Sequence, residues 1–179
     1  MVAWKLWLEP DIGVALPMGH PGVGASGALG VGARLPWLGG RLLPGVQVGA
    51  SSWGVDDTLA DGLDEPYAWH LSVRRLTVTP LLRARLRPAG RLGPELGAGV
   101  ELHRGVIESA GERGGVALGS SWEQASWAGW LAEAALSGPL GPGEGRLSLG
   151  WHGERLGAAA TGDVSVGTLV FALGYRVMP

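Results

Sequence analysis

Apolar residues recur at every second position along much of this chain, and that period predicts strands. In Trp4, Leu6, Leu8, Pro10, Ile12, Val14 and Leu16 the even positions are apolar, while Lys5, Glu9, Asp11, Gly13 and Ala15 fall between them. A strand with one apolar and one polar or small face requires this order. The alternation returns in Val23, Ala25, Leu29, Val31, Ala33, Leu35 and Trp37, and again in Leu42, Pro44, Val46, Val48 and Ala50. Leu76, Val78, Pro80, Leu82, Ala84 and Leu86 alternate with Arg75, Thr77, Thr79, Leu81, Arg83 and Arg85. Leu96, Ala98, Val100 and Leu102 alternate with Glu95, Gly97, Gly99, Glu101 and His103. A less regular run spans Trp122 to Leu136, because Trp127 and Trp130 have opposite parity. Leu147, Leu149 and Trp151 form the seventh run, and Leu169, Phe171, Leu173, Tyr175 and Val177 the last.

Turn-rich segments at 17–22, 38–41, 54–67, 87–94, 107–119, 137–145 and 157–163 separate the runs. About eight antiparallel strands result, the number found in the smallest membrane barrels. On an up-and-down path, 38–41, 87–94 and 137–145 share the end that holds both termini, and the longer 54–67 and 107–119 lie opposite. Residues 12–33 carry no charged side chain, but Pro17, Pro21 and seven glycines make a helical span there untenable. The stretch reads as two strands around a turn.

Composition narrows the solvent. Charged residues make up 17% and hydrophobic ones 46% of 179 residues, against a charged share of about 25% in soluble domains. One domain spanning 1–179 is expected from the length. The net charge of -2, with dispersed arginines, offers no stripe for a phosphate backbone, so nucleic acid is not expected as a partner. There is no cysteine, so packing and hydrogen bonds must hold the fold. The apolar start Met1–Leu8 meets Glu9 and Pro10 before it reaches the length of a signal core, so that a membrane location would imply a mature form, a truncated chain or a domain cut from a longer exported chain.

Strand direction then sorts the aromatics into two belts. Trp4, Trp37 and Tyr175 fall at the termini end, and Trp53, Trp69, Trp122 and Trp151 towards the other, as rings settling at two membrane interfaces should. The expected fold is all-β: an up-and-down antiparallel transmembrane β-barrel of about eight strands. The alternating final segment Leu169–Val177 and the whole-chain pattern resemble the small eight-stranded OmpA-like and OmpX-like outer-membrane barrels. That resemblance implies a bacterial outer-membrane location, contact with membrane lipid and insertion by the outer-membrane assembly machinery. A monomer without a cofactor is expected.

If the apolar faces meet lipid, the intervening charges point inward. Glu9, Asp11, Arg34, Arg75, Arg83, Arg85, Glu95, Glu101, Glu133 and Arg176, with His103, His152 and Glu154, are read as a lumen salt-bridge network. Eight strands enclose a space that side chains can fill, and buried charges must pair. Arg75, Arg83 and Arg85 are expected to face Glu95 and Glu101 on the hairpin partner, leaving no open pore. Asp56, Asp57, Asp61, Asp64 and Glu65 lie in 54–67 without a Lys or Arg, the pattern of a solvated surface loop with weak affinity for divalent cations.

Two other functions compete with a structural or surface-interaction barrel. His70 and Ser72 share a strand face and resemble the His and Ser of outer-membrane lipid A deacylases, which implies a lipid-modifying hydrolase. Such a dyad needs an orienting acid from another strand. The third possibility, a soluble lipocalin-like barrel with a small apolar ligand inside, reverses the faces. The histidines lack paired metal spacing, so no metal site is expected.

Overall fold

The alternating runs form eight strands: β1 (Lys5–Pro17), β2 (Gly24–Arg34), β3 (Leu42–Leu59), β4 (Tyr67–Arg85), β5 (Gly93–Arg113), β6 (Val116–Leu140), β7 (Gly143–Ala158) and β8 (Gly162–Arg176). The computed structural model describes residues 5–18, 22–36, 39–59, 67–87, 91–158 and 162–178. Every strand pairs antiparallel with its sequence neighbour, and β1 pairs with β8 to close the ring. Backbone bonds between Leu8 and Val177 (2.8 and 3.0 Å) extend that closure to the chain's end. Closure removes the sheet edges that hydrocarbon cannot solvate.

The strands differ in length, and that decides the shape. The β2–β3 ladder stops at Gly24 opposite Trp53, and the β6–β7 ladder stops at Gly129 opposite Glu154. Beyond those points β3, β4, β5 and β6 continue as an extension of the wall. From Arg104 to Arg113, at ~3.3 Å per residue and the usual tilt, it rises about 20 Å.

Strand therefore extends into three turn-rich segments. β3 runs through Asp56 and Asp57 to Leu59 and β4 resumes at Tyr67, so the first part of 54–67 is ladder. The 107–119 segment is a hairpin closed by Gly114 and Gly115, with φ of 56° and 77°, and its register shifts between Gly111 and Glu112, where Leu118 bulges from the ladder. Two successive positive φ values are what a two-residue hairpin turn needs, and glycine supplies them without a Cβ clash. Residues 137–145 are strand except for the turn after Leu140. Glycine, serine and aspartate have low strand propensity, but cross-strand pairing outweighs it.

Below the extension, each wall strand turns Leu, Val, Ile or Phe outward. Ile12, Val48, Leu76, Leu102, Leu147 and Leu173 are all more than half exposed. From Leu92 to Leu102 this zone spans roughly 25 Å at ~3.3 Å per residue and ~40° of tilt, the height of a lipid-facing band. The interior at that depth is charged: Glu9, Arg83, Arg85, Glu95, Glu101, Arg146 and Arg176 are buried. A soluble lipocalin-like barrel needs the reverse order, so that expectation is overturned.

Candidate functional site

The lumen is filled by two charged layers. In the lower one, Arg176 donates from Nε to Glu9 (2.6 Å) and from both Nη atoms to Glu95 (2.9 and 3.1 Å). Arg83 donates to Glu9 (2.8 Å) and Glu133 (2.9 Å), and Arg85 to Glu95 (2.7 Å) and Glu144 (2.8 Å). Arg146 pairs with Glu133 and lies 3.5 Å from both Glu9 and Glu95. The Trp7 ring faces the guanidiniums of Arg83 and Arg176, with centroid distances of 5.7 and 5.6 Å, a cation–π arrangement. Arg34 stands 3.7 Å from Glu144 at the rim.

In the upper layer Arg75 pairs with Glu154 and donates to Ser51 (2.9 Å), while Trp127 Nε1 donates to Glu154 (2.5 Å). His103 stacks on Trp127, His152 bonds Glu101 at 2.9 Å, and Gln47 donates to Asp11 at 2.6 Å. A cavity of about 80 Å³ separates the layers; Asp11, Gln47, Thr79, Glu101 and His152 line it.

The hairpin pairing expected of the arginines is correct for Arg85 and Glu95 only. Arg83 lies opposite Gly97, and Arg75 opposite Gly105. A Cβ on Gly97 would come within 3.2 Å of Arg83 and 2.8 Å of Glu133. Missing side chains on β5 let both guanidiniums cross the lumen to other strands, and Glu101 takes a histidine instead. Arg146, Glu144, Gln47, Trp7 and Trp127 belong to the network although the sequence reading left them out. Trp7 shares the parity of Glu9, a usable signal; Glu144 was hidden in a presumed turn.

Above the band the faces invert. Trp53, Val55, Leu71, Val73 and Ile107 form a buried apolar cluster inside the extension, with Trp69 and Trp127 packed against it. The outer face there carries Ser52, Arg74, Arg104 and Ser126, with Ser52 opposite Arg74 and Arg104 opposite Ser126. Trp53 and Trp69 are thus inward-facing and not girdle residues: their odd parity matches Val55, Leu71 and Val73. Trp122 and Trp151 do point outward, and Trp130 joins Trp151 in an edge-to-face pair at 5.1 Å just beneath the inversion. Tyr175, near the termini end, donates to the Leu140 carbonyl (3.0 Å). Trp4 and Trp37 lie outside the described residues.

On the outer face of the extension, His70 Nδ1 meets Asp56 at 2.6 Å. Ser72 follows on the same face, opposite Gly54, and a Cβ at Gly54 would sit 3.7 Å from the His70 ring. Asp61, Asp64 and Glu65 fall outside the described residues. Among the described residues no His, Cys, Asp or Glu group is arranged to hold a metal.

A closed eight-stranded ring with an apolar outer band, a charge-filled lumen and faces that invert at one level defines a transmembrane β-barrel of the smallest kind. The chain is similar to the crystal structure of neisserial surface protein A, with 15% identity, 97% of this chain and 96% of that chain covered, and a TM-score of 0.45. It is similar to the outer membrane protein OprG from Pseudomonas aeruginosa, with 13% identity, 99% and 97% covered, and a TM-score of 0.48. The attachment invasion locus protein Ail of Yersinia pestis matches at 13% identity, 97% of both chains and a TM-score of 0.41. No family model and no curated protein sequence matches.

Proposed function

We propose that this protein is a monomeric, non-conducting barrel of the bacterial outer membrane that displays its β3–β6 extension as a surface for interaction. The carrying observation is the inversion: β3 and β4 exchange an apolar outside for an apolar inside above Ser52 and Arg74, and Ile107 of β5 and Trp127 of β6 join the inner apolar cluster above the band. A wall that leaves hydrocarbon for water must reverse its faces there. Residues 116–122 lie beyond the β6–β7 ladder and expose Val116, Leu118 and Trp122. Exposed apolar side chains on such a strand suit a protein partner. Insertion by the outer-membrane assembly machinery belongs to this reading.

The absence of cysteine makes the test direct. In intact cells, a membrane-impermeant maleimide should label Leu118→Cys and spare Arg41→Cys, which lies in the turn before β3 at the termini end. Labelling of Arg41→Cys alone, or of both equally, overturns the orientation.

One observation favours a second reading, ester hydrolysis by Ser72: the acid that a His70–Ser72 dyad needs is present as Asp56. It orients the imidazole whose other nitrogen takes a serine proton. Fluorophosphonate labelling that disappears in Ser72→Ala supports this reading, and no labelling of the native protein removes it.

A further inference from the structure

We propose that Arg74 and Arg104 bind the phosphate of an anionic lipid headgroup against the outer wall of the barrel. The site rests on the membrane reading of the apolar band. On β4 and β5, Leu76 pairs with Arg104 and Arg74 with Val106. The two arginines are therefore diagonal neighbours on one outer face, about 7–8 Å apart at the backbone. Long guanidinium side chains at that spacing converge on a single phosphate from two sides. Among the described residues Arg104 has no ion-pair partner, and Arg74 has only a loose contact with Glu108 at 3.9 Å. Both cations thus retain donors for an external anion.

Their level selects the source of that anion. Leu76 on the rung of Arg104, and Val78 and Leu102 on a rung beneath, expose a lipid-facing bed. An open groove of about 650 Å³ joins the two zones, lined among others by Ser52, Arg74, Leu76, Arg104, Val106 and Gln124. The order along the wall is acyl-compatible surface and then two guanidiniums, with the Ser52 hydroxyl and the Gln124 amide on the same rung as Arg74. A lipid presents chains and then phosphate in the same order. Arginine at the margin of hydrocarbon is costly unless its head reaches such a phosphate.

Native mass spectrometry of the full chain folded in dodecylmaltoside tests the site, with phosphatidic acid, phosphatidylcholine and inorganic phosphate as separate arms. Phosphatidic acid should be retained over phosphatidylcholine, and Arg74→Gln/Arg104→Gln should lower its retention roughly 30-fold, as expected for two guanidiniums at a lipid surface. Glu108→Gln should keep or increase it, and millimolar inorganic phosphate should not displace it. Equal retention by the native protein and the double variant overturns the site. Displacement by inorganic phosphate overturns the lipid assignment in favour of a free-anion site. Insertion into vesicles, read by heat-modifiable gel migration, separates the two levels. A native protein that inserts normally but retains no phosphatidic acid sinks this site alone, whereas one that fails to insert sinks the membrane reading and the site together.

Discussion

Arg176 on the last strand donates to Glu9 on the first at 2.6 Å, joining residues at opposite ends of the chain inside the closed ring. The same guanidinium holds Glu95 from β5, so one fully buried side chain ties three strands across the lumen. Removing one partner from such a set leaves the others charged and dry, which costs about 3–5 kcal/mol. Arg176→Met should lose that much, measured by urea unfolding in detergent. The loss should shrink in a Glu9→Gln background, because one of the stranded charges is then absent.

The lipid-facing band gives a position-dependent prediction. Leu149→Arg places a charge among outward apolar residues within the band, at a cost of about 2–4 kcal/mol. Leu118→Arg makes the same change on the extension, where water surrounds the outer face, and should be within about 0.5 kcal/mol of neutral. Parallel unfolding titrations in vesicles compare the two, and equal costs would contradict the level assigned to the inversion.

Ile107 is fully buried in the apolar cluster of the extension. Truncation to alanine removes packing that the site cannot recover, typically about 2–5 kcal/mol. The effect should be local. Hydrogen exchange is expected to accelerate in 53–59, 67–73 and 105–113, while the strands around the lower charged layer stay protected.

Conductance tests the two charged layers together. Arg83, Arg176 and Arg146 pair with Glu9 and Glu133 across the lumen below the cavity, and Arg75 and Trp127 meet Glu154 above it. Planar bilayers containing the native protein should therefore show no stable porin-like steps. Steady single-channel openings would contradict the paired-charge plug.

The period-two alternation determined the strand count, the closed up-and-down order and the facing of the band, because hydrocarbon imposes the same outward requirement on every strand. Glu9, Arg83, Glu95 and Arg176 could be read as inward for that reason. Which charge meets which was decided by tertiary structure. Register placed Gly97 opposite Arg83 and Gly105 opposite Arg75, and both arginines then reach across the lumen to partners far away in sequence. The extension was likewise hidden, since its glycines, serines and aspartates look like loop residues until a neighbouring strand supplies the hydrogen bonds. Its parity change was present in the sequence, between Val73 and Leu76 on β4 and between Leu102 and Ile107 on β5. It acquires meaning only when adjacent strands show the switch near one level, where the solvent outside the wall changes from lipid to water.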